Sequence, residues 1–412
     1  MNPRRVVITG IGAITPIGRG KDGLWQGVRA GRRAGRTITR FDPSPFPSHV
    51  AAEIVDFDPL DYIESRRVRR MDRFSQLSVA AARQALEDAG ICLGSSELRE
   101  AAVYLGSALG GVSYAEEQHT RYLADGFHAV DSTLALVVFG GAGATNVAMD
   151  LGINGSVIGN ANSCASGLIA IGQAFELIRS GATSLALAGG AEAPLAPLAF
   201  GAFARVHALT TRNECPESAS RPFDRNRDGF MMGEGSAVLV LEDLENALRH
   251  DRRPLAEIVG FGVTNDAYHM TAPLASGEQA ARAVTLALTQ ARIDPSDVGY
   301  LNAHATGTPL GDAAEARAID VAFDTAAERL PVSGTKGLHG HALGATGAIE
   351  AAITVLALQH GWLPPTANLE EPDPECGLSH VPACGLTRNV EFAVTNSFGF
   401  GGINASLVLR PL

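Results

Sequence analysis

Short apolar runs that end at a glycine or an asparagine recur along the chain. They cover residues 6–9, 102–105, 185–188 and 392–395. Each run is long enough for a buried strand and is followed by a residue that favours a turn. Between the runs, apolar residues recur at helical spacing over residues 75–89, 166–180, 278–291, 312–323 and 347–359. Strands that alternate with helices predict an α/β fold with a largely buried sheet.

The two halves of the chain carry a weak internal repeat. Residues 5–12, Arg-Val-Val-Ile-Thr-Gly-Ile-Gly, resemble residues 256–262, Ala-Glu-Ile-Val-Gly-Phe-Gly. The charged segment 250–254 ends in proline, which suits a join between two units. We therefore predict two similar halves, residues 1–250 and 251–412, although two unrelated glycine-ended strands would give the same pattern.

Composition and charge narrow the class of protein. Of the 412 residues, 46% are hydrophobic and 19% are charged, which suits a large buried core and excludes a disordered chain. The 33 Lys and Arg against 44 Asp and Glu give a formal net charge of −11, and this acidity argues against a nucleic-acid-binding protein.

Cysteine usage and the uncharged stretches predict a cytoplasmic protein without a membrane span. The 5 cysteines include no CxxC pair, as in proteins of a reducing compartment. The apolar run 6–8 is too short for the core of a signal peptide. The longest uncharged stretch, 151–175, contains many Asn, Ser and Gly residues, so we expect a fully buried strand, turn and helix there.

Cys164 lies near the middle of that uncharged stretch. Apolar residues precede it, and Leu168, Ile171 and Phe175 follow at helical spacing, which places the thiol at the start of a helix. The helix dipole and the free N–H groups there favour a thiolate and predict a lowered pKa. A nucleophile on a strand–turn–helix elbow fits these residues. A buried structural cysteine fits them as well.

Two further segments contain residues suited to catalysis. His304 ends a short predicted strand before a loop rich in Gly and Thr, a position that suits a catalytic group or a structural histidine. Residues 333–342 contain Lys336, His339 and His341 among glycines, ahead of a long apolar helix. A metal site is an alternative for the histidines, but no carboxylate or Cys ligand pattern accompanies them.

Glycine-rich segments at both ends of the chain have simpler interpretations. Residues 333–342 lack the GxxxxGK[ST] pattern of a phosphate loop. Residues 10–12, Gly-Ile-Gly, lack the third glycine of a dinucleotide fingerprint, and we interpret them as a turn. Residues 396–402 carry Phe398 and Phe400 between glycines, which suits a mobile flap over an apolar pocket.

Cys164, His304, Lys336, His341 and the Gly-Phe-Gly-Gly loop at 399–402, in this order and spacing, resemble the β-ketoacyl-acyl-carrier-protein synthases. These are condensing enzymes of the thiolase superfamily, and the elongating synthase II type is the nearest. The resemblance covers essentially the whole chain and includes the motifs at 71–74, 188–192, 220–224 and 266–271. A second catalytic histidine distinguishes this class from thiolases, which use a second Cys, and from initiating synthases, which use Asn.

The resemblance implies a duplicated thiolase-like fold with five layers, α-β-α-β-α, and a decarboxylative Claisen condensation. Cys164 would take an acyl group from acyl carrier protein as a thioester. Loss of CO2 from malonyl-carrier would give an enolate, whose oxygen His304 and His341 would stabilise by donating N–H groups. The carbanion would then attack the thioester. The enzyme would need no metal and no cofactor of its own, because the phosphopantetheine of the carrier holds the substrates.

The resemblance also assigns supporting residues. The backbone N–H groups of Cys164 and Phe400 would form an oxyanion hole, with Phe400 and Phe398 on a gating loop. Lys336 and Glu350 would orient the two catalytic histidines. The remaining carried-over positions are Asp312 and Glu315 beside the histidines, Leu109 in the acyl pocket, and Thr271, Thr306 and Thr308 along the pantetheine arm.

The implied partners are an acidic carrier protein and a second subunit. A basic patch should meet the carrier, and the candidates are Arg66, Arg67, Arg69, Arg70, Arg205 and Arg212. A solvated helix face is the alternative for the first four. The family predicts a homodimer, and a heterodimer with a chain-length-factor-like subunit or a non-catalytic partner role are alternatives.

Several departures from the family pattern leave the pathway open. Ala305 stands where the family usually has Gly, and Gly337 and His339 replace a more usual Ser and Thr. Residues 132–143, at the partner-facing wall of the acyl pocket, match poorly. Fatty-acid elongation and polyketide or polyene synthesis therefore both fit.

Overall fold

The computed structural model describes residues 3–412. Its strands are β1 (Val6–Thr15), β2 (Gly18–Arg19), β3 (Arg36–Thr37), β4 (Val50–Ala51), β5 (Ala102–Gly106), β6 (Val157–Asn160), β7 (Leu185–Glu192), β8 (Gly235–Asp243), β9 (Ala256–Asn265), β10 (Val298–Asn302), β11 (Val332–Ser333), β12 (Trp362–Leu363), β13 (Leu386–Thr387), β14 (Phe392–Gly399) and β15 (Ile403–Arg410). Its helices are α1 (Gly20–Arg29), α2 (Ser65–Val68), α3 (Arg73–Ala89), α4 (Ser96–Arg99), α5 (Val112–Asp125), α6 (Leu134–Val137), α7 (Ala142–Leu151), α8 (Ser166–Arg179), α9 (Pro197–Arg205), α10 (Leu244–Arg249), α11 (Glu278–Ala291), α12 (Pro309–Phe323), α13 (Lys336–His339) and α14 (Leu343–His360).

The predicted helices and strands form where the apolar patterns lie. Helix α11 has the predicted bounds, whereas α3, α12 and α14 begin a few residues earlier than predicted. Capping explains two of these earlier starts. The side chain of Asp72 accepts the backbone N–H of Phe74, and that of Thr308 accepts the backbone N–H of Gly311. Polar caps therefore set the helix starts, and apolar spacing alone does not reveal them.

The interpretation of residues 10–12 as a turn is wrong. Strand β1 continues through both glycines to Thr15. A Cβ on Gly10 would lie 2.2 Å from the backbone oxygen of Ala85, and one on Gly12 would lie 1.9 Å from that of Ala81. The two glycines therefore serve close packing, because they let helix α3 lie directly on the strand.

One mixed sheet runs through both halves of the chain, in the order β11-β10-β14-β15-β9-β1-β8-β7-β5-β6. Strands β1 and β9 pair antiparallel at its centre, with Val6 opposite Ile258. Outward from that pair, β8, β7, β5 and β6 on one side correspond in chain order to β15, β14, β10 and β11 on the other. This correspondence fits a duplication, and we propose that its two units are residues 1–250 and 251–412.

The helices form three layers. Two cover the outer faces of the two halves of the sheet, and the third lies between the halves. Helices α3 and α7 pack on the outer face of the first half, and α11, with α12 beside it, packs on the outer face of the second. Helices α8 and α14 lie between the halves and contact strands of both. The layers therefore follow the predicted order α-β-α-β-α.

The central layer brings together the starts of two helices. Every residue of α14 from Leu343 to Leu358 is buried, as expected for a helix that is apolar on all sides. A Cβ on Gly167 of α8 would lie 2.8 Å from the backbone oxygen of Gly344 in α14, so the two helices touch near their N-termini. Within residues 3–412, no helix has the length and apolar character needed to cross a membrane.

The stretch 151–175 is less buried than predicted. Helix α8 is buried, but β6 is the last strand of the sheet and pairs on one side only, with β5. Ile158 in this strand is 41% exposed. An uncharged sequence therefore forms an open sheet edge here, which is a feature of surfaces that pair with another chain.

Candidate active site

Cys164 lies where the sequence predicts, on a sharp turn between a strand and a helix. A 3₁₀ turn, Ser163–Ala165, leads directly into α8. Ser163 has a φ of 51°, in the left-handed region that residues other than glycine rarely adopt. The Ser397 hydroxyl of β14 donates to the Cys164 carbonyl at 3.0 Å, so the second half of the chain holds the turn.

The lowered pKa predicted for this thiol is wrong. Burial raises the pKa of Cys164 to about 12, and the Lys336 ammonium and the backbone N–H groups of Phe400 and Cys164 lower it only in part. Removing water from around the sulfur outweighs the effect of the helix N-terminus. The resting group is therefore a thiol, and it becomes a nucleophile only when neighbouring groups take its proton or stabilise its charge.

His341 is the imidazole that faces the sulfur. Its Nε2 lies 3.1 Å from Cys164 Sγ, and its Nδ1 lies 3.0 Å from Thr346 Oγ1. The ring of Phe230 meets it edge-on, with centroids 5.1 Å apart. Burial, and then the Lys336 ammonium, lower the pKa of His341 well below its ordinary value, so the ring is neutral.

His304 completes the pair of imidazoles. Its ring centroid lies 5.4 Å from that of His341, at an interplanar angle of 80°. Burial, the Lys336 ammonium and His341 together lower the pKa of His304 well below its ordinary value. Its backbone is fixed by Glu315, which accepts the N–H groups of His304 and Ala305 at 2.7 Å each.

Lys336 contacts both the ring and the backbone carbonyl of His304. Its Nζ lies 3.2 Å from His304 Nδ1, also donates to the His304 carbonyl, and donates to Glu350 Oε1 at 2.7 Å. Both side chains of the ion pair are fully buried. Burial raises the pKa of Glu350 to about 8 despite the Lys336 ammonium. Because an ammonium only donates, His304 Nδ1 accepts, and the ring hydrogen is on Nε2.

Asp312 acts on the loop after His304 and does not contact the imidazole rings. Its carboxylate accepts the backbone N–H groups of Phe223 at 2.8 Å and of Gly307 at 3.0 Å. The Arg227 guanidinium lies 3.7 Å away. Ala305 has a φ of 41°, which explains why glycine is usual at this position and why the loop needs these anchors.

A pocket opens over Cys164, and most of the predicted pantetheine and gate residues lie in it. Its walls include Thr271, Thr306, Thr308, Phe398 and Phe400, together with the two histidines at 304 and 341. Leu109 does not line this pocket and instead packs in an apolar cluster with Cys164 and Leu343. The Phe400 ring stacks on Phe203 with centroids 6.1 Å apart, so the loop predicted as a gate packs against helix α9.

The arginines predicted to dock the carrier protein differ in exposure and in the contacts that they already make. Arg67 pairs with the buried Asp150 at 2.7 Å, and Arg66 pairs with Glu64 at 3.0 Å. Arg69 and Arg70 are exposed, as is Arg205 at the end of α9. Arg212 donates to the backbone oxygen of Asn226 at 2.6 Å. Residues 66–70 lie on and just after α2, whereas Arg205 ends α9 and Arg212 lies in the loop that follows.

One cluster within residues 3–412 has the geometry of a metal site. The ligand atoms of Cys164, His304 and His341 lie within 4.8 Å of one another. His339, which the sequence grouped with the other histidines, is not in this cluster. The Lys336 ammonium beside His304 opposes a second cation, and a metal would occupy the thiol. The arrangement therefore suits proton transfer and covalent catalysis better than metal binding.

Sequence reasoning did not assign a role to Glu192 or Thr346. Glu192 ends β7 and accepts the backbone N–H groups of Ala108, Leu109 and Gly344 at 2.6, 3.0 and 2.9 Å. It thereby joins the Leu109 loop to the start of α14. Glu192 could have been singled out because it ends the motif at 188–192. Nothing in the sequence around Thr346 marks it as a residue of the site.

His339 is buried near this site but points away from the thiol. Its Nε2 lies 3.1 Å from Thr335 Oγ1, and its Nδ1 has no hydrogen-bond partner within the described residues. Burial, and then the Lys336 ammonium, lower the pKa of His339 to about 3. The folded protein therefore keeps this ring neutral under conditions in which the unfolded chain protonates it.

Restoring the usual family residue, His339→Thr, should remove part of the acid sensitivity of folding. Below about pH 6.5, only the unfolded chain takes up this proton, so wild type should lose up to about 1.4 kcal/mol per pH unit relative to the variant. Urea denaturation at several pH values between about 7 and 5 measures the difference. His119→Thr, at an exposed position of α5, is the matched control. A wild-type-to-variant difference that does not change with pH would refute the prediction.

The geometry places a cysteine beside two neutral histidines under an open pocket, an arrangement typical of enzymes that work through a covalent intermediate on the cysteine. Comparison with known proteins agrees. The family models "Beta-ketoacyl synthase, N-terminal domain" and "Beta-ketoacyl synthase, C-terminal domain" match residues 3–247 and 255–370. A 3-oxoacyl-[acyl-carrier-protein] synthase 2 of Synechocystis sp. is 42% identical over 410 residues, covering 100% of this chain and 99% of the relative.

Solved structures show the same likeness. The ishigamide ketosynthase/chain length factor superposes with a TM-score of 0.94 at 37% identity, and the match covers all of both chains. A type II PKS ketosynthase, solved in complex with its acyl-carrier protein, superposes with a TM-score of 0.92 at 31% identity, again over both whole chains. The chain belongs to the β-ketoacyl synthase family. It is a condensing acyltransferase with the predicted thiolase-like fold, and it makes 3-oxoacyl-carrier thioesters.

Proposed function

We propose that Cys164, His304, His341 and Lys336 carry out the decarboxylative condensation. The observation that carries this proposal is the 3.1 Å contact between Cys164 Sγ and His341 Nε2, with His304 and Lys336 buried beside it. In the first half-reaction, the sulfur attacks the acyl thioester of the carrier, and the carrier leaves as its own thiol. The acyl group then occupies Cys164.

In the second half-reaction, malonyl-carrier loses CO2 and its thioester oxygen becomes an enolate. The two imidazoles are neutral, so each can donate one N–H to that oxygen without an ionisation step. For His304, the Lys336 ammonium at Nδ1 places the hydrogen on Nε2. The carbanion attacks the acyl-Cys164 carbonyl, and the thiolate leaves.

The tetrahedral intermediate needs donors of its own. The backbone N–H groups of Cys164 and Phe400 lower the pKa of the sulfur, as donors close to a thiolate do. They are therefore directed at the reacting centre and form the oxyanion hole we propose. The pantetheine arm would pass Thr271, Thr306 and Thr308, which line the way in.

The purified protein tests the reaction directly. Incubated with an acyl-carrier and malonyl-carrier protein, it should release CO2 and yield 3-oxoacyl-carrier without any added metal or cofactor. Failure of the protein alone, with recovery when a second ketosynthase subunit is added, would favour the non-catalytic partner role. Activity that follows bound zinc in elemental analysis would favour the alternative of a metal site at the histidines.

We propose an acidic acyl carrier protein as the partner that docks near Arg69 and Arg70. The solved relative in complex with its carrier supports this class of partner. Among residues 66–70, these two arginines are exposed and form no ion pair within the described chain. In a protein of net charge −11, such a local cationic surface would steer an acidic partner.

Reversing both charges, Arg69→Glu with Arg70→Glu, should raise KM for carrier-bound substrate about tenfold at low salt and leave kcat nearly unchanged. The reason is that steering charges act on encounter, and salt screens them. Steady-state kinetics at two ionic strengths measure the effect. A free acyl-pantetheine substrate and the distant exposed pair Arg249→Glu with Arg388→Glu are the controls. An equal rise in KM for the free substrate would contradict carrier docking.

We further propose that the open β6 edge pairs with a second subunit in the cytoplasm. Large apolar side chains are exposed on β6 and on the segment 123–149 that precedes it in the chain, at Leu123, Phe127, Leu136, Phe139, Met149 and Ile158. Such a surface is costly to leave in water. The simplest partner is a second copy of this chain, which gives a homodimer. A chain-length-factor-like subunit, which gives a heterodimer, is the alternative. Mass measurement in solution separates a dimer of about twice 42.9 kDa from a monomer.

The chemistry suits fatty-acid elongation first and a dedicated polyketide or polyene system second. The synthase 2 relatives support the first, and the ishigamide and type II PKS structures support the second. Condensation assays across acyl chain lengths would separate the two. Saturated medium and long chains should be preferred in the first case, and polyunsaturated or polyketide chains in the second.

A further inference from the structure

The hydrogen on the His341 ring determines what this residue can do. A neutral imidazole carries one hydrogen, either on Nδ1 or on Nε2. Nε2 faces Cys164 Sγ at 3.1 Å, and Nδ1 faces Thr346 Oγ1 at 3.0 Å. The group at Nδ1 therefore decides whether Nε2 presents an N–H or a lone pair to the substrate.

Thr346 is in a position to make that decision. It is fully buried in the first turns of α14, and its contact with His341 is the one hydrogen bond recorded for its Oγ1 within residues 3–412. If Oγ1 accepted from Nδ1–H, the hydroxyl hydrogen would be buried without a partner, which costs free energy. If the hydroxyl donates to Nδ1, both groups are satisfied and the ring hydrogen lies on Nε2.

We propose that Thr346 is a positioning residue that donates to His341 Nδ1 and so fixes the Nε2–H form of this histidine. The proposal rests on the condensation mechanism above, in which His341 donates to the enolate oxygen. Lys336 imposes the same form on His304 by a different group. Two donors of unlike chemistry, an ammonium and a hydroxyl, thus aim two N–H groups at one oxygen.

Replacing Thr346 by valine tests the proposal, because valine has nearly the same shape as threonine but no hydroxyl. Thr346→Val should lower kcat for condensation about tenfold or more, while acyl transfer to Cys164 falls by no more than about threefold. Thr346→Ser, which keeps the hydroxyl, should restore kcat to within about twofold. Thr354→Val is the matched control, because this hydroxyl is equally buried in α14 but donates to the Glu350 carbonyl at 2.7 Å.

A spectroscopic measurement separates this proposal from the reaction itself. Protein labelled with ¹⁵N-histidine should show His341 with a protonated Nε2 and an unprotonated Nδ1, and Thr346→Val should shift part of the population to the other form. Comparison with His341→Asn identifies the resonances. A wild-type Nδ1–H form, or unchanged kcat in a folded Thr346→Val protein, would overturn the proposal. The wild-type spectrum shows which ring nitrogen of His341 carries the hydrogen, even if the valine variant does not fold or the proposed reaction is wrong. An Nδ1–H form there is enough to overturn the proposal.

Discussion

Cys164→Ala should abolish both acyl transfer and condensation, lowering the condensation rate by at least about 10³-fold. The loss should be this large because the thiol forms the covalent bond and no other cysteine reaches the two histidines. Cys92, Cys215 and Cys384 are exposed, and Cys376 is buried elsewhere. Single-turnover assays with radiolabelled acyl-carrier and malonyl-carrier proteins measure both half-reactions.

The alanine variant also separates two activities of the site. In the proposed mechanism, decarboxylation of malonyl-carrier uses the histidines and not the sulfur, so some CO2 release should persist while 3-oxoacyl product disappears. Cys376→Ala, a buried thiol in another apolar cluster, is the matched control and should retain condensation. Condensation near the wild-type rate in Cys164→Ala would overturn the proposed role of Cys164.

Lys336→Met should destabilise the fold and stop condensation together. It leaves Glu350 buried without its ion-pair partner, and breaking such a pair typically costs about 3–5 kcal/mol. The loss should grow with pH. Burial raises the pKa of Glu350 from 4.5 to about 8, so in wild type stability is lost between the unfolded and the folded value as pH rises. The Lys336 ammonium lowers this pKa, so in the variant the folded pKa is higher and the loss continues above about pH 8.

The double variant Lys336→Met with Glu350→Leu separates stability from catalysis. Replacement of both charges by apolar groups of similar size is often close to neutral, so urea denaturation should show most of the stability restored. Condensation should stay at least about 100-fold below wild type, because nothing then holds His304 in its Nε2–H form. A double variant that regains condensation would show that Lys336 serves only the fold.

Periodicity predicted the helices and the alternation with strands, because burial of apolar faces sets both. It missed what depends on close contact between distant segments. The glycines of β1 look like a turn in the sequence and are strand residues, since only packing against α3 explains them. The exposure of β6 was also missed, because an edge strand and a central strand have the same composition here.

The candidate catalytic residues could be picked out because the motifs that contain them are local, at 160–167, 300–308 and 333–342. Their electrostatics could not be found in the same way. The helix N-terminus predicted an acidic thiol, but the pKa of Cys164 is raised because the fold removes its water. Glu192 contacts backbone far from its own motif, and Thr346 contacts a side chain on the preceding loop. Both contacts depend on how the chain folds, so they appear only in three dimensions.

The most direct test is to locate the acyl group after the protein alone is mixed with acyl-carrier protein. Peptide mass spectrometry should find a thioester adduct on Cys164 and none on the exposed Cys92, Cys215 or Cys384. Adding malonyl-carrier should discharge that adduct into 3-oxoacyl-carrier. No adduct on Cys164, or an adduct that malonyl-carrier does not discharge, would contradict the account.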